Sequence, residues 1–166
     1  MKTFSRLIKH LCTTTATGRS AFPEETLKAI EEVIAEGEAR HRAEVRMVVE
    51  PSLSAQAVLN GMSPRERARE LFSYYRVWDT EENCGVLVYI NLADHQVEIV
   101  ADRGVGRVVA AKEWEAICRT MTEGFARGAY HDSVVAALGA LNALLEKHYP
   151  DDGSTHNQLP NRPLML

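Results

Sequence analysis

The run VLVYINL at residues 86–92 constrains the fold more than any other segment of this chain. It is almost continuously apolar, which is typical of a strand that is buried on both faces in the middle of a sheet. The run QVEIVAD at residues 96–102 follows after a connection of only three residues and alternates more loosely between apolar and polar side chains. The two runs therefore predict a β-hairpin whose first strand lies at the centre of a sheet.

Strand and helix patterns elsewhere extend this hairpin into a layered domain. The segment EVRMVVE at residues 44–50 predicts another strand, and helical patterns occupy residues 24–34 and 63–76, with two more within 114–145. Because a helix separates strand 44–50 from strand 86–92, a right-handed crossover makes the two strands parallel. We therefore expect an α/β fold: a single-domain α/β sandwich in which a small mixed β-sheet is flanked by helices on both faces.

The two ends of the chain differ in pattern from this domain. We divide the chain into an N-terminal helix and linker at residues 1–21, a folded domain at 22–150 and a flexible C-terminal tail at 151–166, where no periodicity is found. Apolar residues at i, i+3, i+4 and i+7 predict that the first segment forms an amphipathic helix with an apolar face of Phe4, Leu7, Ile8 and Leu11. We expect this face to dock on the chain's own domain, with binding to an external surface as the alternative.

Charge and cysteine content exclude several classes of protein. The 166 residues carry a formal net charge of -4, which gives no general attraction to nucleic acid or to an anionic membrane. The three cysteines are widely spaced without a zinc-ligand pattern, which is typical of a reducing compartment. Lys2, Arg6 and Lys9 interrupt any apolar region for secretion, and no segment reaches the roughly 20 apolar residues of a membrane span. We therefore expect a cytoplasmic protein.

Strand pairing within the hairpin brings two acidic motifs together. If the turn is centred on Asp94, residues whose numbers add to about 188 lie opposite each other, so Asp102 lies opposite the start of the first strand. The loop WDTEEN before the hairpin and the loop ADRGVG after it then emerge at the same end of the sheet. We expect Asp79 and Asn83, with the glutamates between them, to face Asp102 and Arg103.

Oxygen atoms that converge from two loops suit a hard divalent cation such as Ca²⁺ or Mg²⁺, because these ions prefer carboxylates and carbonyls to thiols and imidazole. The alternative arrangement needs no metal. In it, Asp79 pairs with Arg76 or Arg103, and Asp102 caps the following glycine turn by accepting backbone N–H groups. The spacing of the residues alone favours this second arrangement.

Motifs for other chemistries are missing from the sequence. The segment DRGVGR lacks the glycine spacing and the lysine of a phosphate-binding loop, and the six histidines belong to no zinc-hydrolase or serine-triad motif. We expect Trp78 to be a core residue beside Trp114, and Cys84 to be a buried free thiol rather than a nucleophile.

The segments RVWDTEENCGVLVYINLADHQVEIVADRGV and WEAICRTMTEGFARGAYHDSVVAALGALNALLEKHYP resemble the TPM-domain family, in particular its small soluble bacterial branch without a membrane anchor. The resemblance runs from about residue 22 to 150, and its most specific motifs are W-D-T-x-x-N-x-G and V-E-I-V-A-D-R-G. It implies a compact α/β sandwich and divalent-metal binding, chiefly of Ca²⁺. By motif, it also implies oxygen ligands at Asp79 and Asp102, a weaker third ligand at Asn83 and an anion partner at Arg103.

The resemblance also implies a range of functions. Relatives include a thylakoid-lumen protein described as an acid phosphatase, a photosystem II repair factor and an auxiliary subunit of an acetylcholine receptor. We therefore expect a divalent-metal-binding accessory factor that assembles or maintains another, unidentified protein complex. The alternatives are a metal-assisted acid phosphatase of weak activity, in which Arg103 clamps the phosphoryl oxygens, and a structural interaction module without metal. Cys84 departs from the family pattern, which commonly has a second asparagine at this position.

Overall fold

Helices and strands alternate along the chain around a central sheet. The computed structural model describes residues 2–154 and 157–166. In chain order the elements are α1 (Lys2–Cys12), α2 (Thr15–Ala21), α3 (Glu24–Glu38), β1 (Glu44–Glu50), α4 (Ala55–Leu59), α5 (Pro64–Tyr74), β2 (Gly85–Asn91), β3 (Gln96–Ala101), α6 (Arg103–Gly106), α7 (Ala111–Ala126), α8 (Tyr130–His148) and β4 (Leu164–Met165).

The four strands form one mixed sheet in the order β3-β2-β1-β4. β1 runs parallel to β2, with Glu44 opposite Gly85, as expected for two strands joined through a helix. β3 runs antiparallel to β2, with Val86 opposite Ala101, which is within one residue of the predicted register. The predicted mixed sheet and its hairpin are therefore confirmed.

Helices cover both faces of the sheet, as predicted. On one face α3, α7 and α8 bury their apolar stripes against alternate strand residues, including Val45, Met47, Val86, Val88 and Ile90. On the other face α5 packs against the intervening residues, in a cluster that includes Val48, Ala68, Leu71, Leu87 and Tyr89. All seven residues of β2 are buried, which explains its continuous apolar run.

The helix α2 lies where the sequence predicted a linker, and that prediction is wrong. The side chain of Thr14 accepts a hydrogen bond from the backbone N–H of Thr17 and so caps the first turn of the helix. Gly18 lets α2 pack closely on Pro51, because a Cβ atom on Gly18 would lie 2.7 Å from the Cγ atom of Pro51. Local capping and this contact stabilise a helix that has no apolar periodicity.

The strand β4 lies within the segment that was expected to be a flexible tail. Leu164 pairs with Val48 and Met165 with Val49, which extends the sheet beyond β1. The guanidinium of Arg46 donates to the carbonyl oxygen of Pro160 at 2.9 Å and strengthens the same contact. Two residues are too few for a periodic pattern, so no pattern in the sequence predicts this strand.

The helix α1 docks through the face opposite to the predicted one. Arg6 and His10 contact the carboxylate of Asp94 in the turn between β2 and β3. Phe4 and Ile8, on the apolar face, are exposed. The helix therefore docks on its own domain as expected, but not through the predicted face, because the Asp94 carboxylate in the turn binds Arg6 and His10 instead.

Candidate functional site

The loop before β2 and the loop after β3 meet at one end of the sheet, as the hairpin register predicted. The backbone N–H of Asp102 donates to the carbonyl oxygen of Gly85 at 2.8 Å, and the N–H of Gly104 donates to that of Asn83 at 2.9 Å. We call residues 78–84 and 102–106 together the two-loop site. Backbone hydrogen bonds, rather than side chains, hold its two halves together.

Gly104 allows the two loops to approach this closely. A Cβ atom on Gly104 would lie 2.6 Å from the carbonyl oxygen of Asn83 and 2.8 Å from that of Glu82. It would also lie 2.9 Å from the hydroxyl of Tyr149. Glycine is therefore needed here for close approach of one backbone to another, and a side chain would push the loops apart.

Asp102 is the most enclosed of the predicted site residues, with only 8% of its surface exposed. It caps α6, and its Oδ1 atom accepts a hydrogen bond from the backbone N–H of Arg103 at 2.7 Å. Its Oδ2 atom is buried and has no hydrogen-bond partner within the described residues. A buried carboxylate oxygen without a partner is costly, so a cation or a further donor at this position would lower the free energy of the folded state.

Asp79 lies on the exposed rim of the site. Its carboxylate pairs with the guanidinium of Arg76 at 2.9 Å, and both side chains are more than half exposed. This pair is the metal-free arrangement that the sequence spacing favoured. Asp79 would have to leave Arg76 in order to contribute an oxygen ligand.

Trp78, beside Asp79, is 47% exposed, so the prediction that it is a core residue is wrong. Arg76 has a left-handed backbone with a φ of 53°, and the following residue, Val77, fills the core position instead. The guanidinium of Arg76 lies 5.7 Å from the centroid of the Trp78 ring. The indole therefore forms part of the surface around the site.

Asn83 and Arg103 are both exposed. Asn83 has a left-handed backbone with a φ of 54°, a conformation that asparagine adopts more readily than most residues. Arg103 makes no ion pair within the part of the chain that the structure describes. The fold thus brings the backbone of Asn83 to the loop of Asp102, and leaves the Arg103 side chain at the surface.

Cys84 is a buried free thiol, as predicted. Its Sγ atom donates to the carbonyl oxygen of Arg42 at 3.1 Å. Burial raises the pKa of this thiol, and the negative charges of Glu44 and Glu82 act in the same direction. Cys84 therefore remains protonated at neutral pH and is a poor nucleophile.

Arg42 supplies the positive charge beside the two-loop site. Its guanidinium contacts the Glu82 carboxylate at 2.6 Å and lies 4.7 Å from the centroid of the Tyr149 ring. A cleft of about 230 Å³ opens here between Arg42, Glu44, Glu81, Glu82, Cys84, Ser154 and Gln158. Glu82 is thus engaged by an arginine, in contrast to the Oδ2 atom of Asp102.

Sequence reasoning missed two buried carboxyl groups at this end of the sheet. Glu44 accepts hydrogen bonds from the backbone N–H groups of Gln158 and Leu159, at 3.2 and 3.0 Å. Glu38 accepts one from the N–H of Val45 at 2.9 Å, and burial together with the charge of Glu44 raises its pKa to about 8. Glu38 ends a helix and Glu44 begins a strand, so neither periodic pattern could reveal their burial.

The oxygen atoms at the two-loop site fit a hard cation only in part. In residues 2–154 and 157–166, no group of three or more His, Cys, Asp or Glu side chains is arranged to hold a metal. What the site offers is one buried carboxylate oxygen, from Asp102, in a loop whose backbone is hydrogen-bonded to the loop before β2. A single carboxylate oxygen is the kind of donor that hard cations such as Ca²⁺ and Mg²⁺ prefer and zinc does not.

The fold and the site define a single-domain α/β sandwich with a two-loop site at one end of its central hairpin. The family model of the TPM domain matches residues 18–144. The chain therefore belongs to the TPM-domain family. No helix within the described residues is both long enough and apolar enough to cross a membrane.

The fold is similar to that in the NMR structure of the BA42 protein from the psychrophilic bacterium Bizionia argentinensis. The TM-score is 0.75 at 23% sequence identity, and the alignment covers 86% of this chain and 93% of that chain. The similarity supports the fold of this chain. A comparison with curated proteins found no match.

Proposed function

We propose that this chain is a divalent-cation-binding TPM domain that serves as an accessory factor for the assembly or maintenance of another protein complex. Ca²⁺ or Mg²⁺ would be held at the two-loop site. The observation that carries the proposal is the Oδ2 atom of Asp102, which is buried without a hydrogen-bond partner in the described residues. A divalent cation would offset the cost of burying this charged oxygen.

The remaining ligands in this proposal come from the rim. Asp79 would turn from Arg76 towards the ion, and the exposed amide of Asn83 would add a weaker third oxygen. Ca²⁺ takes six to eight oxygen ligands and tolerates irregular geometry, so water molecules complete the set. Cys84 contributes nothing to it, because the thiol faces Arg42.

Exposed aromatic side chains next to the site support the proposed role in a complex. Trp78 is 47% exposed, and Tyr74, four residues earlier at the end of α5, is 77% exposed. Large exposed aromatic residues are enriched where proteins bind each other. A partner that covers these rings would lie beside the proposed ion.

Calorimetric titration with Ca²⁺ and Mg²⁺, combined with thermal unfolding, tests the cation site. We expect the wild-type protein to bind at least one of the two ions and to unfold at a higher temperature in its presence. Asp102→Asn should remove both responses. Asp132→Asn changes the charge equally at the exposed start of α8 and should leave both responses unchanged.

Two results would contradict the proposal. One is the absence of any heat or thermal shift with the wild-type protein at millimolar ion concentrations. The other is binding by Asp102→Asn that equals binding by the wild-type protein. Either would favour the third interpretation, an interaction module whose acidic loops are satisfied by arginines.

A metal-assisted acid phosphatase is the second candidate function, and the exposed Arg103 beside Asp102 favours it. A cation bound at Asp102 would polarise a phosphoryl oxygen, and Arg103 would hold the phosphoryl group. Hydrolysis of an aryl phosphate should then fall in both Asp102→Asn and Arg103→Ala. Hydrolysis that survives both substitutions unchanged would assign the activity to a contaminant.

A further inference from the structure

The helix α1 holds a stripe of large apolar side chains away from the rest of the protein. Phe4 is 69% exposed, Ile8 46% and Leu11 64%. Their spacing of four and three residues places them on one face over about two turns. An amphipathic helix in a globular domain ordinarily buries such a stripe against its own core.

Specific polar contacts on the opposite face fix this orientation. Arg6 donates to both carboxylate oxygens of Asp94, at 2.8 and 2.7 Å. His10 is only 3% exposed, and its Nδ1 atom accepts a hydrogen bond from the backbone N–H of Leu53 at 2.9 Å. Its Nε2 atom lies 3.1 Å from Asp94. Rotating α1 to bury its apolar stripe would break all of these contacts.

All lysine, arginine, aspartate and glutamate side chains in the segment that carries the stripe are positively charged ones. Residues 1–23 contain four lysines and arginines and no acidic residue, so every Asp and Glu of the chain follows them. Arg6 is engaged by Asp94, whereas Lys9 and Arg19 are exposed. Lys9 lines the same surface depression as Phe4, Ser5 and Ile8. The local charge is therefore positive, although the whole chain has a net charge of -4.

We propose that α1 is a docking face for an anionic lipid surface, on which the helix lies flat with Phe4, Ile8 and Leu11 in the outer apolar region. Basic side chains beside an apolar stripe are what such a surface recognises, because they pair with lipid phosphates while the stripe is buried. The contacts of Arg6 and His10 with Asp94 fix the orientation of the helix, so the stripe is ordered before any surface binds it. This inference is independent of the proposed cation site, which lies at the other end of the hairpin.

Co-sedimentation with lipid vesicles tests the proposal. The full chain should bind vesicles of phosphatidylcholine that contain about one-third phosphatidylserine, and bind pure phosphatidylcholine far less. Added salt should weaken the binding. The double variant Phe4→Ser/Leu11→Ser should bind the anionic vesicles about tenfold more weakly or worse. Because both side chains are exposed, circular dichroism should show an intact fold.

Leu59→Ser is the matched control, because Leu59 is 61% exposed on α4, outside the stripe. It should bind vesicles as the wild-type protein does. The proposal would be overturned if the wild-type protein did not bind anionic vesicles, or if the double variant bound them equally well. It would also be overturned if light scattering showed a dimer that the double variant converts to a monomer, since the stripe would then be covered by a second copy of the chain.

Discussion

The two ends of the β2–β3 hairpin each carry an aspartate with little solvent exposure, and the surroundings of the two differ. Asp94, in the turn, contacts Arg6 and His10. Burial favours a higher pKa for Asp94, but these two partners outweigh it and hold the pKa below its usual value. Asp102, at the other end, receives one backbone hydrogen bond on Oδ1, and its Oδ2 atom has no partner in the described residues.

The difference separates a carboxylate that is paired within the fold from one with an oxygen that has no partner in the described residues. At the turn, Arg6 and His10 of α1 contact Asp94 and anchor the helix. At the two-loop site, the nearby arginines Arg42 and Arg76 are engaged by Glu82 and Asp79. Buried ionisable groups that lack compensation concentrate at functional sites, which is why the two-loop site is the better candidate.

Asp94→Asn should produce the largest effect, because it leaves the guanidinium of Arg6 without its charged partner. We expect the free energy of unfolding at pH 7 to fall by about 3 kcal/mol, as measured by urea denaturation. Hydrogen exchange should also show weaker protection of α1. Asp132→Asn, an exposed change of equal charge, serves as the control for net charge.

The contribution of Asp94 also has a predictable pH dependence. Its pKa in the folded protein lies below the ordinary value of 3.8, so it stabilises the fold above pH 3.8 and this contribution is lost as the pH falls through the folded value. The difference between wild type and Asp94→Asn should therefore shrink in acid. If Asp94→Asn lowered the free energy of unfolding at pH 7 by less than about 1 kcal/mol, the two ends of the hairpin would not differ as described.

Gly104→Ala should disrupt the two-loop site by steric contact alone. The Cβ atom of the alanine would lie 2.6 and 2.8 Å from the carbonyl oxygens of Asn83 and Glu82. We expect the free energy of unfolding to fall by about 2 kcal/mol. Gly106→Ala is the matched control in the same short helix, because there the nearest atom, the carbonyl oxygen of Ala101, is 3.6 Å away. Thermal unfolding of both variants measures the difference. Equal stability would show that the loops can separate without cost.

Glu38→Gln tests whether the ionised Glu38 carboxylate destabilises the fold at the end of the sheet that carries the two-loop site. The pKa of Glu38 is raised from 4.5 to about 8, so ionisation opposes folding and stability falls as the pH rises through this range. The variant should be more stable than wild type by about 2 kcal/mol at pH 8, less than the full shift implies because the amide leaves a buried donor. Urea denaturation should show this advantage shrinking as the pH falls from 8 and reversing before pH 4.5, where the neutral Glu38 no longer opposes folding and the amide cost remains. An advantage that does not depend on pH would assign the effect to packing.

Much of the fold could be predicted from the sequence because buried faces of helices and strands require apolar residues at regular spacing. The continuous apolar run of β2 and the capping residues before α5 identified a central strand and a covering helix. Elements that depend on single contacts have no such spacing of apolar residues. α2 rests on a threonine cap and on the approach of Gly18 to Pro51, and β4 is only two residues long. For α1, the pattern revealed the amphipathic helix but could not reveal which face docks.

Some features of the candidate site could likewise be predicted from the sequence, and others could not. Register within the hairpin is a geometric consequence of the turn length, so the meeting of the loops at Asn83 and Gly104 could be predicted. Which carboxylate is buried depends on the paths of both loops and of the chain that packs against them. The spacing therefore did not distinguish Asp79, on the rim, from Asp102, in the interior.

Asp79→Asn should produce the smallest change in stability and so sharpen the contrast between rim and interior. The Asp79–Arg76 pair is exposed, and such pairs contribute less than about 1 kcal/mol, so we expect unfolding in EDTA to change by about 0.5 kcal/mol or less. If Asp79 turns to the ion, calorimetry should nevertheless show Ca²⁺ binding weakened by up to about tenfold, whereas Asp102→Asn removes it. A loss of stability in EDTA as large as that of Asp94→Asn would contradict the assignment of Asp79 to the rim. Unchanged Ca²⁺ affinity would remove Asp79 from the ligand set and leave Asp102 as its only carboxylate.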